Sequence, residues 1–349
     1  MSTAASLGTG RSTLVDGLRG LAMLGVVAIH LAARVPADSP WQGASQVVDH
    51  LGRFGVPLFL AVLGWGAAQP DHRRPVASLG WLGARLWAVL PAYLVWALLY
   101  AVLAPWDGDA LPGSWQPGAG LGERLWRTAA GYSAEQLWYM PAYLTLLPLV
   151  AAVAALPRRV AAGVAGAAVL GMLVLVGQVE AVVAADTTPP PLAGWILRSE
   201  GRLPLPWLGF VAAGALLARV PLAAGPRWLQ GLRLAVGMAG HALIAQRAPS
   251  SPRFDDFWCS LAMPGSLLAF LLWAPVLLAW LAERRPGAWL TTVGRNSLAM
   301  YLSHVLFLRL GWAIGAPLGL GPGLAIAALA TAAGCAVYLP VHRRLFPQA

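Results

Sequence analysis

The chain has 349 residues, of which 58% are hydrophobic and only 11% charged. A soluble domain carries roughly a quarter charged residues, so this composition cannot clothe a water-facing surface and implies an integral membrane protein. The net charge is +10 and comes entirely from Arg; a nucleic-acid binder could share that balance, but here the placement of the Arg residues decides against it.

Ten apolar runs of membrane-spanning length follow one another, at about 14–35, 51–68, 79–103, 136–156, 159–179, 203–220, 228–246, 258–281, 294–315 and 322–341. Period-2 alternation is absent, which excludes a membrane β-barrel, and Gly or Pro inside the runs is tolerated in membrane helices. Of the loops between them, alternate ones hold Arg11, Arg73, Arg74, Arg158, Arg159, Arg219, Arg227, Arg284, Arg285, Arg343 and Arg344. The others hold Asp38, Asp107, Asp109, Glu123, Glu180, Asp186, Glu200, Asp255 and Asp256, with fewer Arg. The positive-inside rule then puts both termini in the cytoplasm, consistent with an even number of spans. The expected fold is all-α and polytopic, with about ten transmembrane helices in a single domain and no separate soluble part. The first run lacks a small-residue cleavage site and keeps its Arg inside, unlike a signal peptide.

The first run carries Asp16-Gly17-Leu18-Arg19-Gly20 and ends near His30. At ~1.5 Å rise per residue, Arg19 and His30 are about 16 Å apart along one helix, half a bilayer core. Polar groups at that depth are costly and usually functional. Arg19 reads either as a snorkelling side chain paired with Asp16 or as a phosphate clamp, because guanidinium matches phosphate oxygens bidentately. His30 reads either as an interhelical hydrogen-bonding group or as a general base. Asp49, His50 and Arg53 stand before the second run. Arg85, on the third, precedes Pro91 by six residues and is expected level with Arg19, in the cytoplasmic third.

The polar stretch 104–135, with Trp106, Trp115 and Trp126, reads as an external loop on the interface. Glu135, Gln136, Trp138 and Tyr139 then crowd the outer mouth of the fourth run, where they suit either sugar binding or a bland aromatic belt. The fifth run, rich in Ala, Val and Gly, serves packing and lipid contact. Tyr301 and His304, three residues apart on the ninth run, share a helix face. His241 and Arg309 complete the intramembrane polar set. Cys259 and Cys335 give neither a disulfide framework nor metal-ligand spacing. No nucleophile elbow, phosphate-binding loop, HExxH or Cys/His metal cluster is present, so any chemistry falls to Arg and His, and no metal is expected.

In order along the chain, these segments resemble the acyltransferase-3 family of integral membrane acyltransferases. Asp16 to Ala22, running on to His30, is similar to that family's opening helix, with Arg, ten residues, then His. Gly55-Val56-Pro57-Leu58-Phe59-Leu60 with Gly64 resembles its second helix. Arg85 to Pro91-Ala92-Tyr93 resembles its Arg-x-x-Arg stretch, with Ala88 in place of the second Arg. Leu137-Trp138-Tyr139 and Ser297 to His304 resemble two further signatures, and Leu63 replaces the Ser usual before Gly64. Heparan-glucosaminide-type acetyltransferases share the Asp-x-x-Arg-Gly opening and a stretch like Gly294 to Leu298.

The resemblance implies transfer of an acyl group, most often acetyl, from cytoplasmic acyl-CoA to a hydroxyl, or less often an amine, of a sugar. The acceptor would belong to an envelope glycan, a lipid-linked saccharide or a glycosylated metabolite. Acyl-CoA would be a co-substrate rather than a resident cofactor, and the partners would be the saccharide, the bilayer and no nucleic acid. His30 and Arg19 would be catalytic, His30 either as the base that takes the hydroxyl proton or as a transient carrier of the acyl group, and Arg19 and Arg85 would hold CoA phosphates. Tyr301, His304, Trp138, Tyr139 and Glu135 would bind the acceptor. The expected location is the bacterial cytoplasmic membrane. A transporter of a small polar substrate, or a family member that binds glycan or lipid without turnover, stays open as an alternative.

Overall fold

The computed structural model describes residues 13–68, 78–103, 120–184, 191, 194, 204–218, 225–247, 260–282 and 284–347. Arg11, Arg73, Arg74, Asp107, Asp109, Asp186, Glu200, Arg219, Asp255, Asp256 and Cys259 lie outside them, as do most of the residues of the external loops expected at 104–135, 181–202 and 249–256.

The described residues form helices and no strand. They are α1 (Thr13–Ala32), α2 (Gln42–Gly52), α3 (Gly55–Ala68), α4 (Leu79–Leu103), α5 (Leu121–Ala129), a 3-10 turn (Glu135–Trp138), α6 (Tyr139–Ala155) and α7 (Arg158–Ala184). There follow α8 (Leu205–Leu217), α9 (Arg227–Arg247), α10 (Ala262–Leu281), α11 (Arg285–Arg295), α12 (Ser297–Gly315) and α13 (Leu320–Leu345). Among the described residues, eight segments are long and apolar enough to cross a membrane. The remaining two of the ten expected runs are also helical: α8 has only 13 residues, and α9 carries Arg233 and His241. The chain is therefore an all-α, multi-pass membrane protein.

The structure departs from the expected elements in three places. The second span begins at Gln42 and breaks at Arg53 and Phe54, so α2 and α3 are two halves of one crossing. Two short polar-faced helices, α5 and α11, interrupt what reads as loop. The fourth span opens with a 3-10 turn that follows Gly131, whose φ of 80° is a left-handed conformation suited to glycine.

Helices meet at backbone distance where glycine removes the side chain, the usual device in a bilayer that gives no hydrophobic drive to association. A Cβ on Gly294 would lie 1.7 Å from Asp16 O, and one on Gly20 would lie 2.2 Å from Leu290 O. These two residues press α11 against the start of α1. Gly64 and Gly214 do the same for α3 and α8, each with a backbone oxygen 1.8 Å from an added Cβ. At the core, Phe54 stacks on Phe270 at 3.8 Å between ring centroids. Many exposed large side chains, such as Leu94, Val95, Leu98 and Val102 on α4, are apolar, as a lipid-facing surface requires.

Candidate active site

Two groups of polar residues stand in the interior, joined by α1. The inner group surrounds a cavity of about 200 Å³. Three guanidinium-bearing residues line it: Arg19 from α1, Arg85 from α4 and Arg295 from the end of α11. Its remaining wall includes Phe59, Leu63, Ala88, Tyr139, Tyr143 and Tyr301. Behind it sits Asp16, wholly buried, with Oδ2 accepting from Arg295 Nε at 3.1 Å and Oδ1 3.9 Å from Arg19 Nη1. The local sequence explains this arrangement. Gly20 and Gly294 let the two backbones touch, which brings the carboxylate of Asp16 within reach of an Arg 279 residues away.

Arg19 and Arg85 thus share one cavity, as their expected depths suggested, and both departures from the family pattern, Leu63 and Ala88, line it too. Arg295 is the residue that sequence reading passed over. It stands at the very start of the ninth apolar run, where it draws no attention beside the cytoplasmic loop Arg residues; the short helix α11 brings it to the cavity.

The outer group centres on Glu135. Its Oε1 lies 3.3 Å from His30 Nδ1, 3.3 Å from Arg34 Nη2 and 3.9 Å from Arg309 Nη2. A carboxylate accepts only, so His30 donates through Nδ1, and in the neutral ring Nε2 is then the lone-pair nitrogen. That is the state required of a general base held by an orienting carboxylate. Arg34 and Arg309 hold the carboxylate in turn, and hydrogen bonds between ionised partners are roughly twice as strong as neutral ones. His304 is completely buried, with its ring centroid 5.1 Å from that of His30. Its Nδ1 lies 2.8 Å from Tyr301 O and 3.1 Å from Met300 O, both acceptors, so Nδ1 carries the hydrogen. Its Nε2 is then an acceptor, and it has no hydrogen-bond partner among the described residues.

The 3-10 turn separates the two groups. Glu135 faces His30, whereas Tyr139, four residues on, lines the inner cavity. Between them Gln136 is buried, and its carbonyl accepts from the Tyr301 hydroxyl. Trp138 packs against Trp207 at 5.1 Å and edge-on to Tyr139 at 6.2 Å between ring centroids. The structure therefore divides the aromatic and acidic residues that the sequence crowds at one outer mouth. Tyr301 and His304 share a face, with centroids 5.8 Å apart, but Tyr301 reaches the inner cavity and His304 the outer group. The remaining polar candidates lie elsewhere. Asp49 pairs with Arg53 at 2.7 Å, His50 Nδ1 meets Ala245 O at 2.7 Å, and His241 packs among Phe54, Phe270 and Trp273.

Tyr100 was not singled out by the sequence either. Its hydroxyl donates to Leu302 O at 2.9 Å and accepts from Leu306 N at 3.1 Å, bridging the turn of α12 that carries His304. Tyr100→Phe removes both bonds from a buried position, at a cost of about 1–3 kcal/mol. A lowered melting temperature in detergent, with a reduced turnover, is the expected outcome. Unchanged melting would show that the turn closes on itself without the hydroxyl.

The fold is thus a membrane helix bundle that carries on one helix an Arg of a three-Arg cavity and a His held by a carboxylate. A family model described as an acyltransferase domain matches residues 13–341, nearly the whole chain, and the chain belongs to the acyltransferase-3 family of membrane acyltransferases. No curated protein and no solved structure matches it.

Proposed function

We propose that the protein moves an acyl group, acetyl in the first instance, from cytoplasmic acyl-CoA to a sugar hydroxyl. The acceptor would be an envelope glycan, a lipid-linked saccharide or a glycosylated metabolite at the bacterial cytoplasmic membrane. One observation carries the reading: α1 bears a guanidinium in a three-Arg cavity and, eleven residues on, an imidazole held by a carboxylate. Arg19 and Arg85 would bind the phosphates of CoA, whose pantetheine arm then has to reach about 16 Å along α1 to bring the thioester to His30. His30 Nε2 takes the proton of the acceptor hydroxyl as its oxygen attacks the thioester carbonyl carbon. The tetrahedral intermediate collapses with cleavage of the C–S bond, and the thiolate of CoA takes the proton back from His30. Glu135 holds the imidazole in its Nδ1–H form and balances the positive charge that appears on it midway, the part a buried carboxylate plays in such pairs. His304 offers an acceptor nitrogen beside the same point.

The test is transfer from radiolabelled acetyl-CoA by the purified protein in nanodiscs, with mass spectrometry of envelope glycans and secreted glycosides from cells with and without it. A shift of one acyl unit is expected. Arg19→Ala should raise KM for acetyl-CoA by roughly tenfold or more, since a charge-assisted hydrogen bond contributes about 1.5–3 kcal/mol. Glycans of unchanged mass, together with no use of acetyl-CoA in vitro, would overturn the proposal.

A further inference from the structure

A second cavity, of about 310 Å³, lies between α3, α6, α7 and α8 and shares no lining residue with the three-Arg cavity. Only Gly, Ala, Val and Leu line it. A cavity without polar groups offers water nothing to bond and stays dry, so what fills it must be apolar. It sits where the helices end. Its wall includes Ala68, the last residue of α3, Ala154 and Leu216, each next to last in α6 and α8, and Ala161 in the first turn of α7. Leu149 and Val164 line its α6 and α7 sides and are each 41% exposed, so the cavity opens onto the lipid-facing surface.

Charge at that end selects which lipid enters. α7 begins with Arg158 and Arg159, both exposed and without an ion-pair partner among the described residues. Arg158 stands three, four and seven residues before Ala161, Ala162 and Ala165, so it shares the helix face that lines the cavity, one turn nearer the helix start. The first backbone N–H groups of α7 add positive potential at the same place. The positive-inside rule puts this end in the cytoplasmic leaflet, where basic residues meet anionic lipid. We propose that an anionic phospholipid of the bilayer docks here, with one acyl chain in the cavity and its phosphodiester against Arg158 and Arg159. Guanidinium forks match phosphate oxygens, and the small side chains leave the chain its room. The lipid would thereby fill the gap that separates α7 from α3 and α8. This docking does not depend on the acyl-CoA reading.

The experiment titrates the delipidated full-length protein in detergent with phosphatidylglycerol or phosphatidylcholine of the same acyl chains, read by native mass spectrometry. The native protein is expected to hold one phosphatidylglycerol roughly tenfold or more tighter than phosphatidylcholine, the share of two Arg residues at a membrane surface. Arg158→Gln with Arg159→Gln, at exposed positions where the fold has nothing to lose, should bring that preference close to one. Ala161→Leu keeps both charges but fills the cavity, and should weaken both lipids by roughly tenfold, the loss of about two buried methylenes. Gly163→Leu is the control, because an added Cβ there meets nothing within 4 Å and the residue does not line the cavity. Equal affinity for the two lipids, an unchanged preference in the double Arg variant, or Ala161→Leu binding like Gly163→Leu would overturn the assignment. So would an isoprenoid phosphate or a neutral phospholipid as the lipid that copurifies with the native protein.

Discussion

His30→Ala is expected to lower kcat by roughly a hundred- to ten-thousandfold, the contribution of a positioned general base. Donor binding should survive, because His30 lies about 16 Å along α1 from Arg19 and outside the cavity that Arg19 lines. KM for acetyl-CoA would therefore change little, which separates loss of chemistry from loss of fold. Glu135→Gln should cost less. The amide oxygen can still accept from Nδ1, so the tautomer is kept, but the negative charge facing the imidazolium and the two Arg residues is gone. If Glu135 acts only through His30, the double variant should be no slower than His30→Ala alone, since residues working as a unit are not additive. A double variant slower by a further tenfold would give Glu135 a separate role on the acceptor. Turnover within a few-fold of native in His30→Ala would remove His30 from the chemistry.

The helical architecture was legible because composition and run length report burial in lipid directly. Each of the ten runs is largely helical over its described residues, and the two ends of the Arg19–His30 pair do belong to one helix. The short helices were not legible for the same reason. α11 holds Pro286, Gly287 and two threonines, and its helicity depends on glycine contacts with a segment far away in sequence. The 3-10 turn at Glu135 was hidden because an apolar run does not say at which depth its first residue sits. That depth separates Glu135 from Tyr139, two residues that look like neighbours at one mouth. Of the site, the polar residues within spans were visible as costly exceptions. Their partners were not: Arg34 and Arg295 stand at the very ends of apolar runs, and nothing in the sequence pairs them before the chain folds around Glu135 and Asp16.

Gly294→Ala should be the most damaging glycine-to-alanine change among the described residues. Its Cβ would fall 1.7 Å from Asp16 O and 2.6 Å from the carbonyl carbon, and neither is the end of a side chain that could turn aside. The only relief is to move α11 off α1, and overpacking of a tight contact costs about 1–3 kcal/mol even where some relaxation is available. Separation also pulls Arg295 from Asp16, so two readouts should fall together: melting temperature in detergent and affinity for CoA. Gly163→Ala and Gly166→Ala on α7 are the controls, because an added Cβ meets nothing within 4 Å at either. Both should be neutral or slightly stabilising, as alanine favours helix over glycine by ~1 kcal/mol. If Gly294→Ala melted and bound CoA like those controls, the close approach of α1 and α11 could not be what builds the cavity. The Asp-Gly-Leu-Arg-Gly opening would then owe its glycines to something other than the joining of Asp16 to Arg295. The expected result instead makes Gly20 and Gly294 part of the donor site, although neither carries a side chain to touch the ligand.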